Sequence, residues 1–140
     1  MKEMSIDATV ENIAPVTEFV NGELALLRCP ERVRHQIDVA IDELFGNIAH
    51  YAYDPDVGPA TVRVEVLREP LAVVITFIDH GVPYDPLSHA QPDVHAPLQE
   101  RRPGGLGIFL VRRTMDDVSY EYKNGQNILR IKKRLAEGEA

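Results

Sequence analysis

Two β-rich segments lie almost next to each other in the middle of the chain. Valines alternate with polar residues over 61–68, which predicts a strand with one buried face. Residues 71–78 are nearly all apolar and rich in β-branched side chains, which predicts a central strand. Only Glu69-Pro70 separates the two segments. A connection this short cannot contain a crossover helix, so the two strands are expected to pair antiparallel.

The remaining patterns place two helices before this strand pair, and a helix and a hairpin after it. The first helix follows Asn12, whose side chain is expected to cap it, and the second opens at Pro30. Strands that are grouped, instead of alternating with helices, predict an α+β fold with a mostly antiparallel sheet and helices on one face. The other predicted elements are strands at 1–8, 118–123 and 127–135, with a turn at Asn124-Gly125, and a helix at 108–115.

Composition narrows the class of protein. The chain has 140 residues, 44% of them hydrophobic and 26% charged, which predicts a single globular domain over 1–140. There is no apolar run long enough to span a membrane and no apolar signal core, and the lone Cys29 suits a reducing compartment, so we expect a cytoplasmic protein. The net charge of −7 argues against nucleic-acid binding. The excess of acidic residues lies in the first 70 residues, so an anionic ligand is expected to bind more favourably to residues 71–140.

Glu43 and Asn47 form the first candidate cluster. They are four residues apart on the second predicted helix, one turn from each other and beside its apolar stripe. A carboxylate and an amide at a core boundary could hold a divalent cation with its waters, or orient a nucleophile. Taken alone, the pair is more typical of the polar shoulder of an amphipathic helix.

The second cluster begins where the central strand ends, at Asp79-His80-Gly81-Val82-Pro83. A carboxylate at this position is poorly solvated and seeks a donor, such as the amino group of a purine. Gly81 would allow a flat ring to approach the backbone closely. A plain turn after a strand explains the same residues equally well.

The third cluster runs from Arg101-Arg102 through Gly104-Gly105-Leu106-Gly107 into Ile108 and a predicted helix. Free amides at a helix N-terminus suit phosphate oxygens, and the two arginines could add charge-assisted hydrogen bonds. It follows a proline-rich segment, 83–103, which holds five of the ten prolines and is predicted to be a lid or binding loop. No Lys-Ser/Thr follows the glycines and no strand precedes the cluster, so neither a P-loop nor a Rossmann fingerprint is predicted.

Other chemistry-bearing side chains receive simpler interpretations. Three histidines in the loop region do not have the spacing of a zinc site. The tyrosines near the clusters are interpreted as packing residues and not as a base-stacking platform. The histidines are His80, His89 and His95, and the tyrosines are Tyr51, Tyr53, Tyr120 and Tyr122.

The three clusters together, in this order, resemble the GHKL ATPase superfamily. Residues 43–53 resemble its N box, 79–86 its G1 box and 105–111 its G2 box. Ala52-Tyr53, residues 84–86 and residues 112–117 are similar to one branch, the bacterial anti-sigma-factor serine/threonine kinases of the RsbW and SpoIIAB type. The resemblance covers roughly residues 5–134.

The resemblance implies a Bergerat-type two-layer α/β sandwich with an ATP lid and a mixed, mostly antiparallel sheet. It implies that Asp79 accepts from the adenine amino group, with Gly81 and Pro83 beside the base. Asn47 would coordinate Mg²⁺, and Glu43 would act as general base, or as a water-mediated orienter, for the hydroxyl of a protein serine. Phosphate contacts would come from residues of the third cluster, namely Arg101, Arg102, Gly105, Leu106, Gly107 and Ile108.

The implied function is that of an ATP-dependent protein kinase and anti-sigma factor. Its partners would be a STAS-type anti-anti-sigma protein, phosphorylated on a serine, and a sigma factor, and homodimerisation is a family expectation. The alternative is a non-catalytic ATP-binding module that binds a protein partner in a nucleotide-dependent way. The chain departs from the family at Pro83, which replaces a G1-box glycine, and at Gly125-Gln126-Asn127, which replaces a late Gly-Thr element. An adenine contact from a threonine is there lost or replaced by an amide.

Overall fold

The computed structural model describes residues 1–88 and 105–135. Within these residues five strands form one sheet in the order β1-β2-β3-β5-β4. None of the helices in this part of the chain is long and apolar enough to span a bilayer. The strands are β1 (Lys2–Asp7), β2 (Pro59–Leu67), β3 (Ala72–Asp79), β4 (Asp117–Lys123) and β5 (Gln126–Arg134), and the helices are α1 (Ile13–Leu26), α2 (Glu31–Asn47) and α3 (Gly105–Thr114).

The predicted antiparallel pairing of the two central segments is confirmed, with Val64 opposite Ile75. Asn124 and Gly125 both have positive φ, 53° and 76°, as a tight hairpin turn requires, and they join β4 to β5. All four strand pairs in the described residues are antiparallel, whereas the sequence allowed for a mixed sheet. The α+β architecture is therefore the one predicted.

The core lies between one face of the sheet and the buried stripes of the helices. Alternate residues of β2 and β3 point into it, which is the period-2 pattern seen in the sequence. α2 contributes its apolar stripe, and its Phe45 is fully buried. The opposite face of the sheet carries exposed ion pairs, Arg63 with Glu3 and Arg130 with Glu121. Within residues 1–88 and 105–135, the helices pack against only the first of these faces.

Three predicted helix starts need correction. Asn12 does precede α1, but its side chain makes no capping hydrogen bond and donates to the Asp7 carbonyl at 2.8 Å. A 3₁₀ turn, Val10–Asn12, gives Asn12 a ψ of 1° instead of the extended conformation of a capping residue. Pro30 occupies the N-cap of α2, so the helix itself starts one residue later. α3 begins at Gly105, three residues before the predicted start, so Gly105 and Gly107 lie inside its first turn.

The chain leaves α2 through a wider turn that the sequence did not predict. Residues Ile48–Ala52 form a π-helical turn after Asn47. Such turns are uncommon and often occur at functional sites. This turn carries the end of α2 to the C-terminal end of β3, where the chemistry-bearing residues meet.

Candidate functional site

An open pocket lies between the end of α2, the end of β3 and strands β4 and β5. It encloses about 410 Å³ of empty space, including its open mouth. Two polar side chains from different predicted clusters, Asn47 and Asp79, share its wall. The rest of the lining is mainly apolar and aromatic, namely Leu44, Ile48, Tyr51, Ala52, Phe77, Val82, Tyr84, Pro86, Tyr120 and Leu129, with the amide of Asn127. Apolar walls with few convergent polar groups are typical of a small-molecule site.

Asp79 is the last residue of β3 and is 4% exposed. Its Oδ1 accepts two hydrogen bonds at 2.9 Å, one from the Gly81 amide and one from the Asn127 side chain. Burial raises the pKa of Asp79, and these two hydrogen bonds and the nearby His80 act in the opposite direction. Among the described residues Oδ2 receives no hydrogen bond, so one carboxylate oxygen is available as an acceptor.

Gly81 has a different close neighbour from the one expected. A Cβ at Gly81 would lie 2.1 Å from the Ala52 carbonyl oxygen, so the backbone that approaches it here is that of the π-helical turn. The same carbonyl accepts from the Val82 amide at 3.0 Å. Only glycine fits at this crossing. Pro83 is exposed and lies outside the pocket lining.

Tyr53 stabilises the contact between the π-helical turn and the loop after β3 through two hydrogen bonds. Its hydroxyl donates to the Pro59 carbonyl at 2.6 Å and accepts from the His80 amide at 2.8 Å. It thereby ties the start of β2 and the end of β3 to the turn that follows α2. The packing role predicted for Tyr53 agrees with this geometry.

Glu43 and Asn47 lie one turn apart on α2, as their spacing predicted, and they interact. Burial, together with the neighbouring Asp42, raises the pKa of Glu43 to about 6, although the nearby polar side chain of Asn47 lowers it. The carboxyl group is therefore mostly ionised at pH 7 and close to the range in which a general base works well.

Gly107 lies directly against Glu43. A Cβ at Gly107 would be 1.5 Å from Glu43 Oε1, so α3 packs directly against this side chain and a larger residue at 107 would displace the Glu43 carboxylate. This contact brings the first turn of α3 to the end of α2. The second and third predicted clusters thus both meet the first one in space, across more than 30 residues of sequence in each case.

The remaining residues of the third cluster are located in part. Gly105 and Leu106 begin α3, and Ile108 is half-buried against the core. Arg101 and Arg102 lie outside the described residues, as does most of the predicted lid.

Two tyrosines interpreted as packing residues, Tyr51 and Tyr120, in fact line the pocket. Tyr51 stacks on Tyr84 with ring centroids 5.3 Å apart and an interplanar angle of 28°. The π-helical turn sets the direction of Tyr51, and no local pattern in the sequence indicates such a turn. The interpretation of these two tyrosines as ordinary packing was therefore incomplete.

The position of Asn127 in the site was the hardest to predict from the sequence. It is 6% exposed and lies directly opposite Asp79 in the β3–β5 register. Its amide joins Asp79, the loop after β3 and Tyr120 in one hydrogen-bond network. The sequence feature that could have indicated this role is the amide of Asn127, which stands where the GHKL family has the threonine of its late Gly-Thr element.

The pocket fits an adenine nucleotide by the chemistry of its lining. A flat base suits walls of apolar and aromatic side chains, and the open Oδ2 of Asp79 suits an amino group. The amide oxygen of Asn47 is of the ligand type that a hard cation such as Mg²⁺ prefers, and Asn47 lies in the pocket wall.

Comparison with known proteins places the chain in a family. Residues 6–133 match the model of the histidine kinase-like ATPase domain. The serine/threonine-protein kinase BtrW of Bordetella bronchiseptica is 30% identical over 104 residues, which cover 74% of this chain and 72% of that protein. The serine-protein kinase RsbW of Bacillus cereus is 26% identical over 134 residues, covering 93% of this chain and 82% of that protein.

A solved structure agrees in fold. The histidine kinase domain from the Erythrobacter litoralis EL346 blue-light activated histidine kinase aligns with a TM-score of 0.51 and 15% sequence identity. The alignment covers 76% of this chain and 46% of that one, so the likeness concerns the ATPase fold alone. On the match over residues 6–133, this chain is a member of the histidine kinase-like ATPase domain family.

Proposed function

We propose that this chain is an ATP-dependent serine protein kinase that acts as an anti-sigma factor and phosphorylates a serine on a STAS-type anti-anti-sigma protein. The observation that carries the proposal is that Asp79 and Asn47 line one pocket, with Glu43 one helical turn from Asn47 on α2. Relatives named as serine-protein kinases over most of the chain give independent support.

Asp79 is proposed to recognise the adenine. Its Oδ2 would accept from the 6-amino group, and the apolar wall of the pocket would cover the ring faces. Gly81 and Pro83 belong to the loop beside the base. Gly81 acts by letting that loop pack against Ala52, which holds the carboxylate in place from the other side.

Asn47 is proposed to hold Mg²⁺ through its carbonyl oxygen, with ATP phosphates completing the coordination. The metal would neutralise phosphate charge during transfer. The backbone amides of the first turn of α3, at Gly105, Leu106, Gly107 and Ile108, would bind phosphate oxygens, and Arg101 and Arg102 would add charge-assisted hydrogen bonds.

Glu43 is proposed to be the general base. Its ionised carboxylate would accept the proton of the serine hydroxyl as that oxygen attacks the γ-phosphorus. Its raised pKa and half-buried position support this role, because a weakly solvated carboxylate is a better proton acceptor. The position of Glu43 one helical turn from Asn47 would keep the base next to the metal-bound phosphates.

The test uses ATP labelled in the γ-phosphate and a STAS-domain protein from the same organism, with a variant of that protein in which the acceptor serine is alanine. We expect label on the wild-type partner and none on the alanine form. Glu43→Gln should reduce transfer by about 100-fold or more while leaving the Kd for ADP within about threefold of wild type. The exposed Glu18→Gln on α1 is the matched control and should change neither quantity.

Two outcomes would contradict different parts of the proposal, the role of Glu43 and the kinase activity itself. Transfer at the wild-type rate by Glu43→Gln would remove Glu43 from the base role. ATP binding with no transfer to any STAS protein of the organism would overturn the kinase activity and leave a nucleotide-dependent binding module.

A further inference from the structure

The amide of Asn127 has no hydrogen-bonding capacity left for a ligand. Its nitrogen donates to Asp79 Oδ1 at 2.9 Å and to the Val82 carbonyl at 2.8 Å. Its oxygen accepts from the Tyr84 amide at 3.1 Å and from the Tyr120 hydroxyl. A side-chain amide has two donors and two main acceptor sites, and all four are used within the protein.

This network has one orientation. The Tyr84 amide can only donate, so it must meet the amide oxygen, and the Val82 carbonyl can only accept, so it must meet the nitrogen. The nitrogen is then necessarily the atom facing Asp79. The hydroxyl of Tyr120, on β4, reinforces the same orientation from the next strand.

The effect on Asp79 is to distinguish its two oxygens. Oδ1 is occupied by Asn127 and by the Gly81 amide, whereas Oδ2 has no partner among residues 1–88 and 105–135. Donors on Oδ1 also favour the ionised form of the carboxyl, which only accepts. Without them, the buried carboxyl could turn, or carry a proton and donate to a 6-oxo purine.

We propose that Asn127 is a positioning residue for purine selection: it does not contact the base, but holds Asp79 so that Oδ2 accepts a 6-amino group and rejects a 6-oxo group. The inference rests on the proposed use of Asp79 as the adenine acceptor. The Asn127 amide would thus influence base selection through Asp79 and not by contacting the base.

The experiment measures the Kd of ADP and of inosine diphosphate, which carries a 6-oxo group, by isothermal titration calorimetry. Wild type should prefer ADP by about 10- to 100-fold, the range expected for one hydrogen bond to a charged group. Asn127→Ala should bring the two Kd values within about threefold of each other. Lys132→Ala, at an exposed position of β5 outside the pocket lining, is the control and should keep the wild-type ratio.

The ratio of the two Kd values distinguishes a positioning role of Asn127 from a general loss of folded structure. If Asn127→Ala weakens both nucleotides equally and keeps the preference, Asn127 is merely structural and the proposal is overturned. If Asn127→Ala does not fold, Tyr120→Phe decides, because it removes only the hydroxyl that supports the amide. The preference should then fall by at least about threefold, and an unchanged preference would overturn the proposal.

Failure of this inference is distinguishable from failure of the proposed function. A wild-type protein without any preference for ADP removes Asp79 from adenine recognition and this inference with it. A wild-type preference that survives in Asn127→Ala removes only the role of Asn127, and the transfer assay reports on the kinase activity separately.

Discussion

At the scale of single residues, one buried carboxylate, Asp79, and one half-buried carboxylate, Glu43, acquire different properties from their surroundings. Asp79 receives two donors on one oxygen and is closed in by the loop after β3. Glu43 has the polar side chain of Asn47 near it and faces the first turn of α3. Burial raises the pKa of both groups. The first environment suits a fixed acceptor, and the second suits a group that takes up a proton.

The raised pKa of Glu43 predicts how its removal affects stability. Folding must keep an ionised carboxylate in a poorly solvated place, so the folded state is favoured below pH 4.5 and loses that advantage as the pH rises through about 6. Glu43→Gln should therefore increase the free energy of unfolding at pH 8, by about 1 kcal/mol after allowing for solvent screening. The gain should disappear at pH 4. Urea denaturation at both pH values measures it.

Glu18→Gln, on the exposed surface of α1, is again the comparison. A gain of equal size at pH 4 and pH 8 in Glu43→Gln would show that the effect does not come from the ionised carboxylate.

At the scale of elements, the junction between the π-helical turn and the loop after β3 holds the site together. The Ala52 carbonyl meets the Val82 amide at 3.0 Å and leaves no room for a side chain at Gly81. Tyr53 adds hydrogen bonds to both flanking strands. Because backbone meets backbone here, the junction cannot relax by a side-chain rotation.

Two glycine substitutions test this junction against an ordinary helix position. Gly81→Ala should destabilise the protein by about 2 kcal/mol or more, because its Cβ would meet the Ala52 carbonyl oxygen at 2.1 Å. Gly22→Ala, on α1 with nothing within 4 Å of the added methyl group, should instead stabilise it by about 0.5–1 kcal/mol. Urea denaturation of the two variants beside wild type gives both values. Equal stability of Gly81→Ala and wild type would mean that the loop can move away from α2 without cost.

At the scale of the whole molecule, one sheet face and three helices enclose the core, and the pocket opens at the end where β3 and α2 both terminate. Its walls come from α2, β3, β4, β5 and the loops between them. A ligand that touches all of these elements binds only the folded chain. Ligand binding should therefore be measurable as global stability.

Thermal unfolding with ADP and Mg²⁺ tests this linkage. At a nucleotide concentration 100 times the Kd, binding adds about 2.7 kcal/mol, which should raise the Tm by roughly 10 °C. Asp79→Asn should show a much smaller rise at the same concentration, because its amide cannot supply the ionised acceptor. Asp56→Asn, in the exposed turn after Tyr53, should respond like wild type. Equal rises in both variants would argue against Asp79 as the adenine acceptor.

Much of the fold was predictable because it depends on neighbours in sequence. The link around Glu69-Pro70, residues 68–71 in the structure, is too short for a crossover helix and so allows only antiparallel pairing, and Asn124-Gly125 has the backbone freedom that a tight hairpin needs. The four-residue spacing of Glu43 and Asn47 places them on one helix face, and they do interact there. Helix starts were less predictable, since a 3₁₀ turn before α1 diverted the Asn12 side chain to Asp7.

The features that only the tertiary structure decided all depend on residues distant in sequence. Asn127 faces Asp79 because β5 pairs with β3 in one particular register, 48 residues apart. The contact of Gly107 with Glu43 arises from the packing of α3 on α2. The sequence by itself determined which groups the chain offers and on which local element each one stands. Their meeting in one pocket was decided by strand register and helix packing, because the free energy of those contacts comes from burying surfaces that no local segment possesses alone.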